Sequence, residues 1–66
     1  MQVHVNGEAR EIAAGATICE LLLAMKVEAA QVAVEVNAQV VRKARHAEVQ
    51  LQPGDHIEIV TFVGGG

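Results

Sequence analysis

Aromatic residues are nearly missing. The chain has no tryptophan and no tyrosine, and Phe62 is its single phenylalanine. Cysteine occurs once, at Cys19, which excludes an internal disulfide and agrees with a reducing compartment. Positive charge is scarce. Five Lys and Arg against eight Asp and Glu leave a net charge of −3, without the basic stripe that a nucleic-acid partner requires. No apolar run approaches the roughly 18 residues of a membrane span. The start, Met1-Gln2-Val3-His4-Val5, lacks the basic residues and long apolar stretch of a secretion signal. His4, His46 and His56 are scattered, with no Cys or His at metal-ligand spacing, so no metal is expected. These absences predict a cytoplasmic chain with neither membrane nor nucleic acid among its partners.

What is present is a dense apolar content, 52% of 66 residues, mostly Val, Ala, Leu and Ile. A chain this short buries only about 60% of its unfolded surface, so it depends on a good core. The composition supplies one. The expectation is a single domain over 1–63 and a flexible glycine tail over 64–66. The chain is too short to enclose a ligand site, which usually needs about 300 Å3 or more. No pair of its carboxylates suggests an acid/base couple. A small enzyme in its own right is the least expected reading.

Gln2-Val3-His4-Val5 alternates apolar and polar, as a half-buried strand does. Asn6-Gly7 follows, the pair favoured where a type I′ turn needs positive φ twice. A second strand is predicted from about Glu8 to Ile12. Thr17-Ile18-Cys19-Glu20 has the spacing of a capping box. Behind it, Ile18, Leu21, Leu22 and Met25 share one helical face, which predicts a helix over 18–26. Val32, Val34 and Val36 alternate as a third strand. Asn37-Ala38 reads as a bend before Gln39-Val40-Val41. Arg42 to Ala47 is polar and basic and predicts a short helical turn or loop. Glu48-Val49-Gln50-Leu51 alternates again. Pro53-Gly54-Asp55 is a turn. His56 to Val63 is the best strand, rich in β-branched residues.

One amphipathic helix must cover one face of one mixed sheet of four to five strands. The simplest arrangement puts the final strand centrally, beside the first. That is an α+β fold, the β-grasp or ubiquitin-like architecture. The chain then passes from a central strand directly into Val63-Gly64-Gly65-Gly66. Glycines without Cβ form a narrow arm. Its tip is expected to be a free carboxylate, ionised at neutral pH because such a group titrates near 3.5. An ionised carboxylate is a poor acyl donor and must be activated before its oxygen can be replaced.

In the last strand, Ile57, Ile59, Thr61 and Val63 lie on one face, and Glu58, Val60 and Phe62 on the other. With the first set inward, Val60 and Phe62 form an exposed docking patch beside the tail. In the reverse phase Phe62 is core. The exposed reading is favoured. Cys19 lies next to the apolar helix face with no basic neighbour on the helix to activate it, and reads as passive. Arg42-Lys43-Ala44-Arg45 is a small basic cluster. It is either a solvated loop or a contact for an acidic partner.

Val5-Asn6-Gly7, Thr17-Ile18-Cys19-Glu20-Leu21-Leu22 and the run from Pro53-Gly54-Asp55 through Phe62-Val63-Gly64-Gly65-Gly66 together resemble the ThiS family. These are the sulfur carriers of thiamine biosynthesis, relatives of the molybdopterin synthase small subunit and of ubiquitin. The resemblance covers essentially the whole chain. It implies a carrier whose Gly66 carboxylate is adenylated by a ThiF-type enzyme using ATP. A sulfur donor, a cysteine desulfurase or similar, would convert it to a thiocarboxylate. Thiazole synthase, ThiG, would take that sulfur for the thiazole ring. Gly64 and Gly65 would thread the partner's active site, and Val60 and Phe62 would dock it. No cofactor is expected on the chain, which is expected to be monomeric by itself. The alternatives are a sulfur carrier for another pathway, of the molybdopterin synthase small-subunit kind, a ubiquitin-like modifier, and a ubiquitin-like binding module with an inert end.

Overall fold

The first hairpin forms at Asn6-Gly7, where φ is +51° and +85°. The computed structural model describes residues 1–62, so the expectations for Val63 and for Gly64, Gly65 and Gly66 lie outside the described residues. Strands β1 (Gln2–Val5) and β2 (Glu8–Glu11) pair antiparallel, with Val5 opposite Glu8 and Gln2 opposite Glu11. The second strand stops one residue before the expected Ile12. Ile12 still donates its N–H to the Met1 carbonyl at 2.8 Å.

Helix α1 (Ile18–Ala24) opens on the expected capping box. The Thr17 N–H donates to Glu20 Oε1 at 2.8 Å, and the Glu20 N–H donates to Thr17 Oγ1 at 3.2 Å. Replacing Thr17 by alanine leaves the Glu20 N–H without that acceptor. A loss of about 1 kcal/mol is expected. In a domain of this size that lowers Tm by roughly 4–8 °C, readable by thermal melting followed by circular dichroism.

The helix ends at Ala24, two residues short of the predicted 18–26. Lys26 sits at φ +60°, and the Val27 N–H reaches back to the Leu22 carbonyl at 2.9 Å. This is the closing turn that usually carries glycine. A lysine holds it here, so no local signal marks the stop.

A 3-10 turn (Ala29–Gln31) leads into β3 (Val32–Val36), which pairs antiparallel with β4 (Gln39–Val41). The bend at Asn37-Ala38 has φ of +52° and +70°. A second 3-10 turn (Lys43–Arg45) stands where a helical turn or loop was expected. The predicted strand at 48–51 does not form. That segment lies against the entry to α1 and makes one isolated bridge, Thr17 with Gln50, flanked by bonds from Ile18 N–H to Val49 O and from Leu51 N–H to Ala16 O. Its partner turns helical after one residue, so no ladder can grow.

β5 (His56–Thr61) completes a mixed five-stranded sheet in the order β2-β1-β5-β3-β4. It runs parallel to β1 and antiparallel to β3. This is the β-grasp arrangement predicted from the element order. The core combines Ile18, Leu21 and Leu22 of the helix with Val3, Val5, Val32, Val34 and Ile57 of the sheet, and Leu51 closes it.

His46 departs from the surface role that its polar segment suggests. It is buried, and its Nε2 lies 3.0 Å from the Val41 carbonyl. A carbonyl only accepts, so Nε2 donates to it, while buried Nδ1 has no hydrogen-bond partner among the described residues. Among the described residues, no helix is long and apolar enough to cross a membrane.

Candidate functional site

β5 is bonded on both sides and delivers the chain to Val63. From β3, the register pairs Val36 with Ile57, Val34 with Ile59 and Val32 with Thr61. The Phe62 N–H extends this ladder by donating to the Gln31 carbonyl at 2.8 Å. On the other side β1 reaches only as far as Ile57. The Asn6 side chain then takes over. Its Oδ1 accepts from the Ile59 N–H at 2.8 Å, and its Nδ2 donates to the Ile59 carbonyl at 3.3 Å.

Asn37 performs a similar task at the start of β5. Its Oδ1 accepts from the His56 N–H at 3.0 Å, while its Nδ2 donates to Asp55 Oδ1 at 3.0 Å. Asp55 Oδ2 accepts from the Gln52 N–H at 2.8 Å and closes the Pro53-Gly54 turn. Two asparagines needed for tight turns thus also hold the strand that carries the tail. Sequence reading found the turns and missed the ties.

Pleating then decides which side chains of β5 reach solvent. Ile57 is fully buried and Ile59 packs against the core. Val60 and Phe62 point the other way and are 57% and 59% exposed. The favoured phase is therefore the observed one, and the reverse phase, with Phe62 in the core, does not occur. Ala33 stands opposite Val60. Val40 of β4, 69% exposed, extends the apolar area and was not singled out from the sequence. Its signal was Gln39-Val40-Val41, where adjacent valines must face opposite sides and one must therefore be outward.

The same face carries two carboxylates directly opposed, Glu35 on β3 and Glu58 on β5, with Val40 on the far side of Glu35. Like charges so placed repel. Among the described residues the ion pairs are Met1 with Glu11 and Arg45 with Glu48, so neither Glu35 nor Glu58 has a cation. Further along, the His4 and His56 rings stack with centroids 4.7 Å apart. An exposed apolar patch edged by unmatched negative charge suits a protein contact.

The remaining candidates lie elsewhere. Cys19 is exposed on α1, on the opposite side of the sheet, and its N–H donates to the His46 carbonyl. Among the described residues, no three His, Cys, Asp or Glu side chains gather as metal ligands. The candidate residues Gly64, Gly65 and Gly66 lie outside the described residues, and in the sequence Gly64 follows Phe62 by two positions.

Comparison with known proteins covers the whole chain. The model of the ThiS family matches residues 3–66. The sulfur carrier protein ThiS of Escherichia coli is 35% identical, each chain covering all of the other. That of Bacillus subtilis is 48% identical over 50 residues, 76% of each. A thiazole synthase of Paramagnetospirillum magneticum is 42% identical over all 66 residues, but the chain spans only 20% of its length. The crystal structure of the thiamine biosynthesis protein ThiS from Geobacter metallireducens superposes with a TM-score of 0.86 at 35% identity, with both chains fully covered.

Proposed function

The chain belongs to the ThiS family, and on that premise we propose that it carries sulfur as a thiocarboxylate on Gly66, with Gly66 as its carboxyl end. Its role is that of a sulfur carrier in thiamine biosynthesis, not of an enzyme. The supporting observation is the exposed Val60–Phe62 patch on the strand that leads into the three glycines.

The chemistry needs three partners. A ThiF-type enzyme presents ATP to the Gly66 carboxylate, whose oxygen attacks the α-phosphorus and releases pyrophosphate. A persulfide on the sulfur donor, a cysteine desulfurase or similar protein, attacks the acyl carbonyl and AMP leaves. The resulting acyl disulfide is cleaved by a thiol reductant, which leaves the thiocarboxylate. Thiazole synthase, ThiG, accepts that sulfur. In the relatives named thiazole synthase, a segment like this one occupies a fifth of a longer protein, which supports placing carrier and synthase together. The chain itself holds no cofactor, acts in the cytoplasm and is a monomer between encounters.

The docking face selects partners by shape and charge. Val60 and Phe62 offer the apolar contact, and the uncompensated Glu35–Glu58 pair calls for an arginine or lysine on the facing surface. The tail then threads a channel in which a Cβ would collide with the walls. An alanine scan in an adenylation assay tests this. Gly65→Ala and Gly66→Ala are expected to lose more activity than Gly64→Ala, which stays nearest the folded body. Equal losses at the three positions would overturn the threading.

A further inference from the structure

The basic cluster of the sequence has no part in the chemistry above, and the structure places Arg42 and Lys43 beside two adjoining grooves. A groove of about 670 Å3 runs between the end of α1 and the second 3-10 turn, with Leu22, Leu23, Val27, Ala30 and Ala47 among its walls. A second groove of about 340 Å3 shares Ala29, Ala30, Lys43 and His46 with it and runs on to Val40 and Phe62. Leu23, in the wall of the first, is 71% exposed.

Charge is distributed unevenly around these grooves. Of five Lys and Arg in the chain, Lys26, Arg42 and Lys43 line them, and Glu28 is the single carboxylate that does. Arg45 is engaged by Glu48 at 2.9 Å, whereas no carboxylate of the described residues lies within ion-pair distance of Lys26 or Lys43. In a chain of net charge −3, this is a local reversal of sign. The sheet face with Glu35 and Glu58 has the opposite character.

We infer that this groove is a second docking site and takes an acidic, aliphatic segment of a partner protein. Leu or Ile side chains of the segment fill the trough left by the small residues Ala29, Ala30 and Ala47. Its carboxylates meet Lys26 and Lys43 at the rim. Three cations are few for a membrane surface, and the apolar walls offer little to a small hydrophilic anion. The site goes beyond the tail chemistry and does not depend on it.

The test uses the full chain, labelled with nitrogen-15, and two synthetic peptides. One is acetyl-Glu-Leu-Leu-Glu-Glu-Leu amide, and the other has lysine in place of each glutamate. Amide shifts at Leu23, Lys26, Val27, Ala30 and Lys43 are expected with the acidic peptide only. The double variant Lys26→Glu, Lys43→Glu changes exposed side chains, so it should fold and bind that peptide at least about tenfold more weakly. Binding should also weaken in high salt, where the screening length falls to about 3 Å at 1 M. Cys19 lines the groove and gives an independent readout, since the acidic peptide should slow its alkylation by iodoacetamide. Equal shifts with both peptides, shifts confined to Val60 and Phe62, no shifts, or binding to phosphatidylserine vesicles in place of the peptide would each overturn the proposal.

Discussion

Ile57→Ala is expected to bring the domain close to global unfolding. Ile57 is fully buried at the point where β1, β3 and β5 meet, opposite Val5 on one side and Val36 on the other. Truncating a buried isoleucine removes its transfer free energy and leaves a cavity, at a cost of about 2–5 kcal/mol. A domain of this size holds only about 3–5 kcal/mol in all. Urea unfolding should show the midpoint moved toward zero denaturant, or no folded baseline. Val60→Ala on the same strand is the control. Its side chain is mostly in water, so stability should change by no more than about 0.5 kcal/mol. If the two variants unfolded alike, the assignment of the two faces of β5 would be wrong.

Phe62→Ala is expected to separate docking from folding. The side chain is 59% exposed, while its backbone N–H is held by Gln31. Losing the ring should therefore leave Tm nearly unchanged. An aromatic anchor at the centre of an interface typically contributes 2 kcal/mol or more. That corresponds to about a thirtyfold fall in kcat/KM for adenylation by the activating enzyme. The loss should fall mainly on KM, because Phe62 precedes Gly66 by four positions and is not itself the reacting residue. Unchanged adenylation kinetics would remove Phe62 from the docking surface.

The parts legible in the sequence are those written in local chemistry. Asn6-Gly7 needs only its own φ preferences, and Thr17 with Glu20 needs only one turn of helix. The phase of β5 is legible because Glu58 separates Ile57 from Ile59, and a charge in the core is costly. The central position of β5 follows from element order and the need to bury one helix on one sheet.

Much of what was not legible depends on distant partners. Asn6 reaches Ile59 across 53 positions and Asn37 reaches His56 across 19. No window of sequence contains either pair. His46 is buried with its Nε2 against the Val41 carbonyl, a placement that its basic sequence neighbours conceal. The helix end at Lys26 defies the glycine preference of that turn. The alternation at 48–51 is a real period-two pattern with Leu51 inward, but no strand lies beside it to pair with.

Intact mass spectrometry with fragment mapping reads whether Gly66 carries the sulfur. The chain would be incubated with ATP, the ThiF-type enzyme, a persulfide donor and a thiol reductant, and the products mapped along the sequence. An AMP adduct is expected first and then the exchange of one oxygen for sulfur, both confined to Gly66. A chain that gains neither, or gains sulfur at Cys19 while Gly66 stays a carboxylate, would contradict that expectation.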